Sequence, residues 1–174
     1  MFKDFRYIRS VLMPGEEVVF ATSLHWVVYM PGLIGIGMGV GFGLWGVPYL
    51  VGLLPLEFAS PLRQPLRYVA MLYTVLACAQ LLLAALRQSG TELVITDRRV
   101  MAKFGIISRT TYEISLNKIE GANLKQSAIG RLLGFGTIIV RGVGANMRPI
   151  LWIDSPAAFQ GALLNQVSRL TQAK

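Results

Sequence analysis

Cysteine, histidine and acidic side chains are scarce in this 174-residue chain, and each scarcity closes a class of function. One cysteine, Cys78, leaves no disulfide framework of the kind that staples small secreted domains. His25 is the single histidine, and it lies far from Cys78 in the sequence, so the two make no metal-binding set. A Ser/His/Asp or Cys/His nucleophilic arrangement would have to run through that same His25, which sits on the wrong segment for a pocket in the C-terminal half. The five acids beyond residue 87 (Glu92, Asp97, Glu113, Glu120 and Asp154) form no catalytic motif. Charged residues make up 15% of the chain, against about 25% in an ordinary soluble domain. A hydrophobic share of 53% rules out a disordered chain.

The apolar residues are clustered. No charged side chain occurs from Trp26 to Leu56, nor from Tyr68 to Leu86. Roughly 20 apolar residues in a helix cover the hydrocarbon core of a bilayer. Two membrane-spanning helices are therefore expected, near 27–50 and 67–86. Trp26 and Tyr29, then Trp45 and Tyr49, suit the two interfacial belts. A cleaved signal peptide is a poor reading, because the run begins only after Asp4, Glu16 and Glu17 and is too long for a signal core. The chain divides into 1–25 (a juxtamembrane segment, amphipathic and then extended), 26–56 (first span), 57–66 (short external loop with Pro61 and Pro65), 67–87 (second span) and 88–174 (cytoplasmic domain). Of the formal charge of +8, +7 lies beyond residue 86. By the positive-inside rule, this places both termini in the cytoplasm of a multi-pass protein of a bacterial inner membrane. The basic excess then reports topology and gives no argument for nucleic acid.

Within 91–154 the rhythm changes to short runs of period two, the mark of half-buried antiparallel strands. TELVIT (91–96) and RRVMAKFG (98–105) flank a turn at Thr96–Asp97–Arg98. SRTTYEISL (108–116) puts Tyr112, Ile114 and Leu116 on one side, and GTIIVRG (136–142) and RPILWID (148–154) flank the VGAN turn. Asp154–Ser155–Pro156 then reads as an N-cap with proline in the first turn, opening a helix striped by Phe159, Leu163, Val167 and Leu170. The fold class expected is an α+β membrane protein: a two-helix transmembrane hairpin plus an antiparallel β-barrel or sandwich capped by a C-terminal helix. Segment 1–25 has two readings. Phe2, Phe5, Ile8 and Leu12 beside Lys3, Arg6 and Arg9 suit a helix at the headgroup boundary, with EVVFAT (17–22) extended behind it. Alternatively, both pieces dock on the C-terminal domain.

Pro14–Gly15–Glu16 ahead of His25–Trp26, two spans, and then Thr96–Asp97–Arg98–Arg99–Val100 resemble the bacterial membrane-anchored PH-domain proteins (the YdbS-like group, formerly a domain of unknown function). The longest similar stretch is ISLNKIEGANLKQSAIGRLLGFGTIIVRG, 114–142, with Leu116, Ile119, Gln126–Ser127, Arg131 to Gly134, Gly136 and Thr137 in the family pattern. The resemblance implies a PH-like barrel closed by a C-terminal helix and no catalytic residues. Arg131–Leu132–Leu133–Gly134 reads as a helical turn stopped by a left-handed glycine, a residue pattern that sets a fold.

The remaining candidates concern binding. Gly41 to Gly46 spells GxGxxG, but inside a span it lacks the strand and helix a dinucleotide loop requires. Gly35, Gly39 and Gly43 form a small-residue series, with Gly37 and Gly41 on another side. Such a series packs either on Ala70, Ala77 and Ala84 of the second span or on a second copy in a homo-oligomer. Arg98, Arg99, Lys103 and Arg109 either form a patch for anionic lipid headgroups or an acidic partner, or are solvated strand positions. Lys103 and Arg109 partly fit the basic hairpin of lipid-binding PH domains, but Thr111 occupies its last basic position, which argues against inositide specificity. His25 reads as an interfacial anchor beside Trp26. The expected function is a non-enzymatic, membrane-anchored binding scaffold without cofactor or metal. It would self-associate and engage membrane lipids or a membrane-protein partner. The alternative is a subunit of a small channel or transport assembly, against which stands the absence of ionisable residues in the spans.

Overall fold

The computed structural model describes residues 11–106 and 109–172. Most of the expected amphipathic segment (Phe2, Lys3, Phe5, Arg6, Ile8 and Arg9) falls outside these, and Leu12 falls inside. The chain forms two compact units. One combines residues up to Val27 with Leu86 and beyond, and the other is Val28–Ala85.

The second unit is a helical pair. The first helix, α1, runs Trp26–Gly52 and the second, α2, Leu56–Gly90, so only Leu53, Leu54 and Pro55 connect them. The loop expected at 57–66 is thus helical, with Pro61 and Pro65 inside α2. Proline carries a helical φ of about −65° and removes a single ladder donor. At four-residue spacing the two prolines share one face of the helix. Within α1, Phe42–Gly46 forms a π-helical turn just before Pro48, a wide turn that accommodates the missing N–H. The GxGxxG glycines therefore lie in continuous helix.

Glycine sets the packing of the pair. A Cβ on Gly35 would sit 2.9 Å from the Ala77 Cβ, one on Gly43 3.4 Å from the Ala70 Cβ, and one on Gly39 against Thr74 and Tyr73. Gly32 faces Leu81 in the same antiparallel order. Continuing that order leads to Val47 and Val51, both buried. Gly37 and Gly41 face open space.

The first unit is a barrel of two sheets. Strands β1 (Val18–Ser23), β2 (Glu92–Thr96), β3 (Arg99–Phe104) and β4 (Thr110–Ser115) form one antiparallel sheet in that order. A 3₁₀ turn at Leu116–Lys118 leads into β5 (Ile119–Lys125) of the second sheet. There, β6 (Phe135–Gly142) pairs with β5, with the short β7 (Ala145–Asn146) and with β8 (Ile150–Asp154). A bridge between Leu24 and Ile153 joins the free edges of the two sheets. Between β5 and β6 lies a six-residue helix, α3 (Ala128–Leu133), and the chain ends in α4 (Pro156–Gln172).

Phe159 and Leu163 of α4 are fully buried against Leu93, Ile95, Val100, Ile138 and Ile153, and the Phe159 ring meets Phe20 edge-on at 6.1 Å. Pro156 opens α4 as expected, but the cap differs: Ser155 adopts φ +49° and its hydroxyl donates to Asp154 Oδ1. Gly134, at φ +80°, ends α3 as a left-handed cap.

Two corrections follow from the topology. The domain assigned to 88–174 also takes in β1, because Ser23 pairs with Glu92 and Val18 with Thr96. The helical pair is therefore an insertion between the first two strands of the barrel. The strand β5 was not expected: IEGANLK buries only Ile119 and Ala122, too few apolar positions to show a period.

Candidate functional site

The two short segments that carry the resemblance meet in space. Gly15, at φ +77°, turns the chain so that the Glu16 N–H donates to the Met13 carbonyl while the Met13 N–H donates to Glu16 Oε2, at 2.8 Å. The Glu16 side chain is fully buried, and the Arg99 guanidinium clamps it: Nε to Oε1 and Nη2 to Oε2, each 2.9 Å. The paired geometry matches the fork of arginine to a carboxylate. Thr96 donates to Glu16 Oε1 at 2.8 Å and accepts the N–H of Arg99, which fixes the hairpin turn from within. Arg99 also reaches Glu113 Oε2 at 2.8 Å and the Val11 carbonyl at 3.1 Å. Beside it, Glu17 and Asp97 exchange two bonds, the N–H of Glu17 to Asp97 Oδ1 and the N–H of Asp97 to the Glu17 carbonyl, both 3.1 Å.

This clasp explains the outer face of the first sheet. Val94 and Met101 point away from the main core and are covered by Leu12 and Ala21. Residues 11–17 form a lid over β2 and β3, latched by Glu16 and Arg99. A readable signal existed: LVI in β2 and VMA in β3 are continuous apolar runs rather than alternating ones, which marks burial on both faces.

The four basic residues proposed for lipid or partner binding separate accordingly. Arg99, 13% exposed at its side chain, is a structural clamp. Lys103 is buried and pairs with Glu92 at 3.4 Å, its partner directly across the ladder. Both are engaged in internal ion pairs. Arg98 and Arg109 are exposed, Arg98 beside Asp97 at 3.7 Å and Arg109 bonded to the Ile106 carbonyl. His25 is buried, its ring 5.6 Å from Phe135, and its Nδ1 accepts the Val27 N–H. It is a packed residue of the barrel. The Gly35, Gly39 and Gly43 face, proposed for oligomerisation, is filled by α2 of the same chain. Among the described residues, no three of His, Cys, Asp and Glu gather where they could hold a metal.

Residues 40–171, about three quarters of the chain, match the family model of the bacterial PH domain. The chain belongs to the bacterial PH domain family. No curated protein and no solved structure matches it. PH domains are in general non-catalytic binding modules. In this bacterial PH domain the family match begins at Val40, downstream of β1, so the strand that closes the barrel lies outside the matched region.

Glu16 should make this PH domain acid-sensitive. Its hydrogen bonds to Arg99, then those from Met13 and Thr96, lower the carboxyl pKa from 4.5 to about 2 against the opposing effect of burial. A depressed carboxylate stabilises the fold fully above its unfolded value and loses that contribution as pH falls through the folded one. The barrel should therefore lose about 3 kcal/mol between pH 4.5 and pH 2. Thermal unfolding in detergent across that window checks this, against a Glu16→Gln, Arg99→Met double variant in which the steep dependence is expected to vanish.

Proposed function

We propose that this bacterial PH domain is a membrane-anchored, non-enzymatic binding scaffold, crossing the cytoplasmic membrane twice and presenting its barrel in the cytoplasm to a protein partner or to lipid headgroups. The observation that carries the reading is the reversed packing of the helical pair. Its contacts centre on glycine and alanine, with Thr74, Val47 and Val51 among them, while Leu33, Ile34, Met38, Leu72, Leu76, Leu82 and Leu83 are exposed. The most apolar stretches of the two helices are only 22% and 17% buried, the reverse of a soluble core. A face of this composition has a favourable surrounding in acyl chains and an unfavourable one in water. The excess of Lys and Arg beyond residue 86 supports the cytoplasmic side for the barrel. No Asp, Glu, His, Lys or Arg occurs between Trp26 and Leu56 or between Tyr68 and Leu86, which favours an anchor over a transport path.

Topology is directly measurable. In a Cys78→Ala background, Ser60→Cys lies at an exposed position between the charged Glu57 and Arg63, and Ser168→Cys lies at an exposed position of α4. A membrane-impermeant maleimide should label position 60 in intact cells and position 168 only after permeabilisation. Labelling of both, or of position 168 alone, in intact cells rejects the topology.

A further inference from the structure

The turn that sets the β5–β6 connection is built in detail, yet it holds its apolar side chains outward. Gly130 is buried, and a Cβ there would meet the Phe135 carbonyl oxygen at 2.7 Å. Ser127 Oγ accepts the Gly130 N–H, and Gln126 Nε2 donates to the carbonyls of Gly130 and Phe135. These contacts account for the glycines, Gln126 and Ser127 of the family-like stretch. They do not account for Ile129, Leu132 and Leu133, which share one face at i, i+3 and i+4 and are 66%, 85% and 42% exposed. None of the three belongs to the barrel core.

Their position in the barrel identifies what would cover them. Gly134, the cap of α3, accepts the Ser155 N–H, and the next residue, Phe135, stacks on His25. The His25 N–H in turn donates to the Trp152 carbonyl at 2.7 Å, and Trp26 begins the first apolar helix. The outward face of α3 therefore lies at the end of the barrel from which the chain runs into that helix. Trp26, Leu151 and Trp152 are exposed at the same end. Lys125 and Arg131 flank α3 and are exposed too, with Asp154 the acid opposite Phe135 in the ladder. Apolar tips rimmed by cations and tryptophan are the composition that settles at the boundary of headgroups and acyl chains.

We propose that the Ile129–Leu132–Leu133 face of α3 inserts into the bilayer beside the point where the first span enters it, with Lys125 and Arg131 on anionic headgroups. The proposal rests on the membrane-anchored reading above. It makes the barrel a domain laid on the membrane surface at one defined end rather than one tethered loosely beneath it.

The test uses full-length protein, in the Cys78→Ala background, reconstituted in phosphatidylcholine–phosphatidylglycerol vesicles. An environment-sensitive fluorophore is placed in turn at Leu132→Cys, at Met38→Cys on the exposed side of α1, and at Glu120→Cys at the far end of β5. Lipids carrying a nitroxide near the headgroup should quench position 132 severalfold more than position 120, and a deep nitroxide should quench position 38. Quenching at 38 without quenching at 132 overturns the insertion and leaves the anchor standing. No quenching at 38 removes the anchor and this proposal with it. A label at 132 that is shielded from aqueous iodide yet untouched by nitroxide lipid assigns the face to another protein surface, and also overturns the insertion. Leu132 is so exposed that its replacement leaves the fold intact, which a melting curve of the variant verifies.

Discussion

Glu16→Ala should destabilise the barrel by about 3 kcal/mol, the cost of taking from the enclosed Arg99 the buried one of its two carboxylates and leaving the Met13 N–H and the Thr96 hydroxyl without their acceptor. Arg99 would keep Glu113, which is partly exposed, but would lose both bonds of the fork and the Thr96-braced carboxylate behind it. The loss should exceed that from Glu113→Ala, because only Glu16 is fully enclosed. Chemical unfolding in detergent, with tryptophan fluorescence as the signal, measures both. Replacing the pair together, Glu16→Gln with Arg99→Met, should recover much of the stability, since an apolar side chain needs no counter-charge. A double variant as unstable as Glu16→Ala would show that the geometry of the clasp, rather than its charge balance, holds the lid.

Gly39→Leu should disrupt the helical pair, while Gly41→Leu should leave it unchanged. At position 39 even a Cβ meets Thr74 and Tyr73, whereas at position 41 nothing lies within 4 Å. Overpacking of this kind costs about 1–3 kcal/mol, and more where backbone blocks relaxation, as the Thr74 N–H does here. The measurement is thermal stability and particle mass of the two variants in the same detergent. A fall in stability at 39 with unchanged mass is expected from packing within one chain. A change of mass at 39 with unchanged stability would instead make this face a junction between copies.

What was legible in the sequence followed local pattern. The alternation in TTYEIS and the stripe of Phe159 and Leu163 could be read because each element buries one face against one core. Strand β5 could not, since Gly121, Ala122 and Asn123 carry little side-chain signal and its pairing with β6 supplies the order. Pro61 and Pro65 read as loop because proline ends most helices, yet a long helix tolerates two lost bonds near its start. The basic residues were the hardest. Arg99 and Lys103 have the spacing of solvated strand positions, and nothing local reveals that one acid eighty-odd positions upstream and another across the hairpin cover them. Glu16 was visible only as part of a motif whose purpose needed the fold.

The insertion of the helical pair between β1 and β2 bears on how the protein is made. The first strand leaves the ribosome before either apolar helix, and the strand it pairs with emerges after both. In a membrane-anchored chain, β1 and β2 finish on the same side only when the number of crossings is even. Had one helix failed to insert, Glu16 and Arg99 would lie on opposite sides of the bilayer, and the barrel would be left with an open edge and a half-exposed core. Completion of the barrel thus reports correct insertion, and a mis-inserted chain carries its own mark for degradation in the unpaired strand it leaves behind.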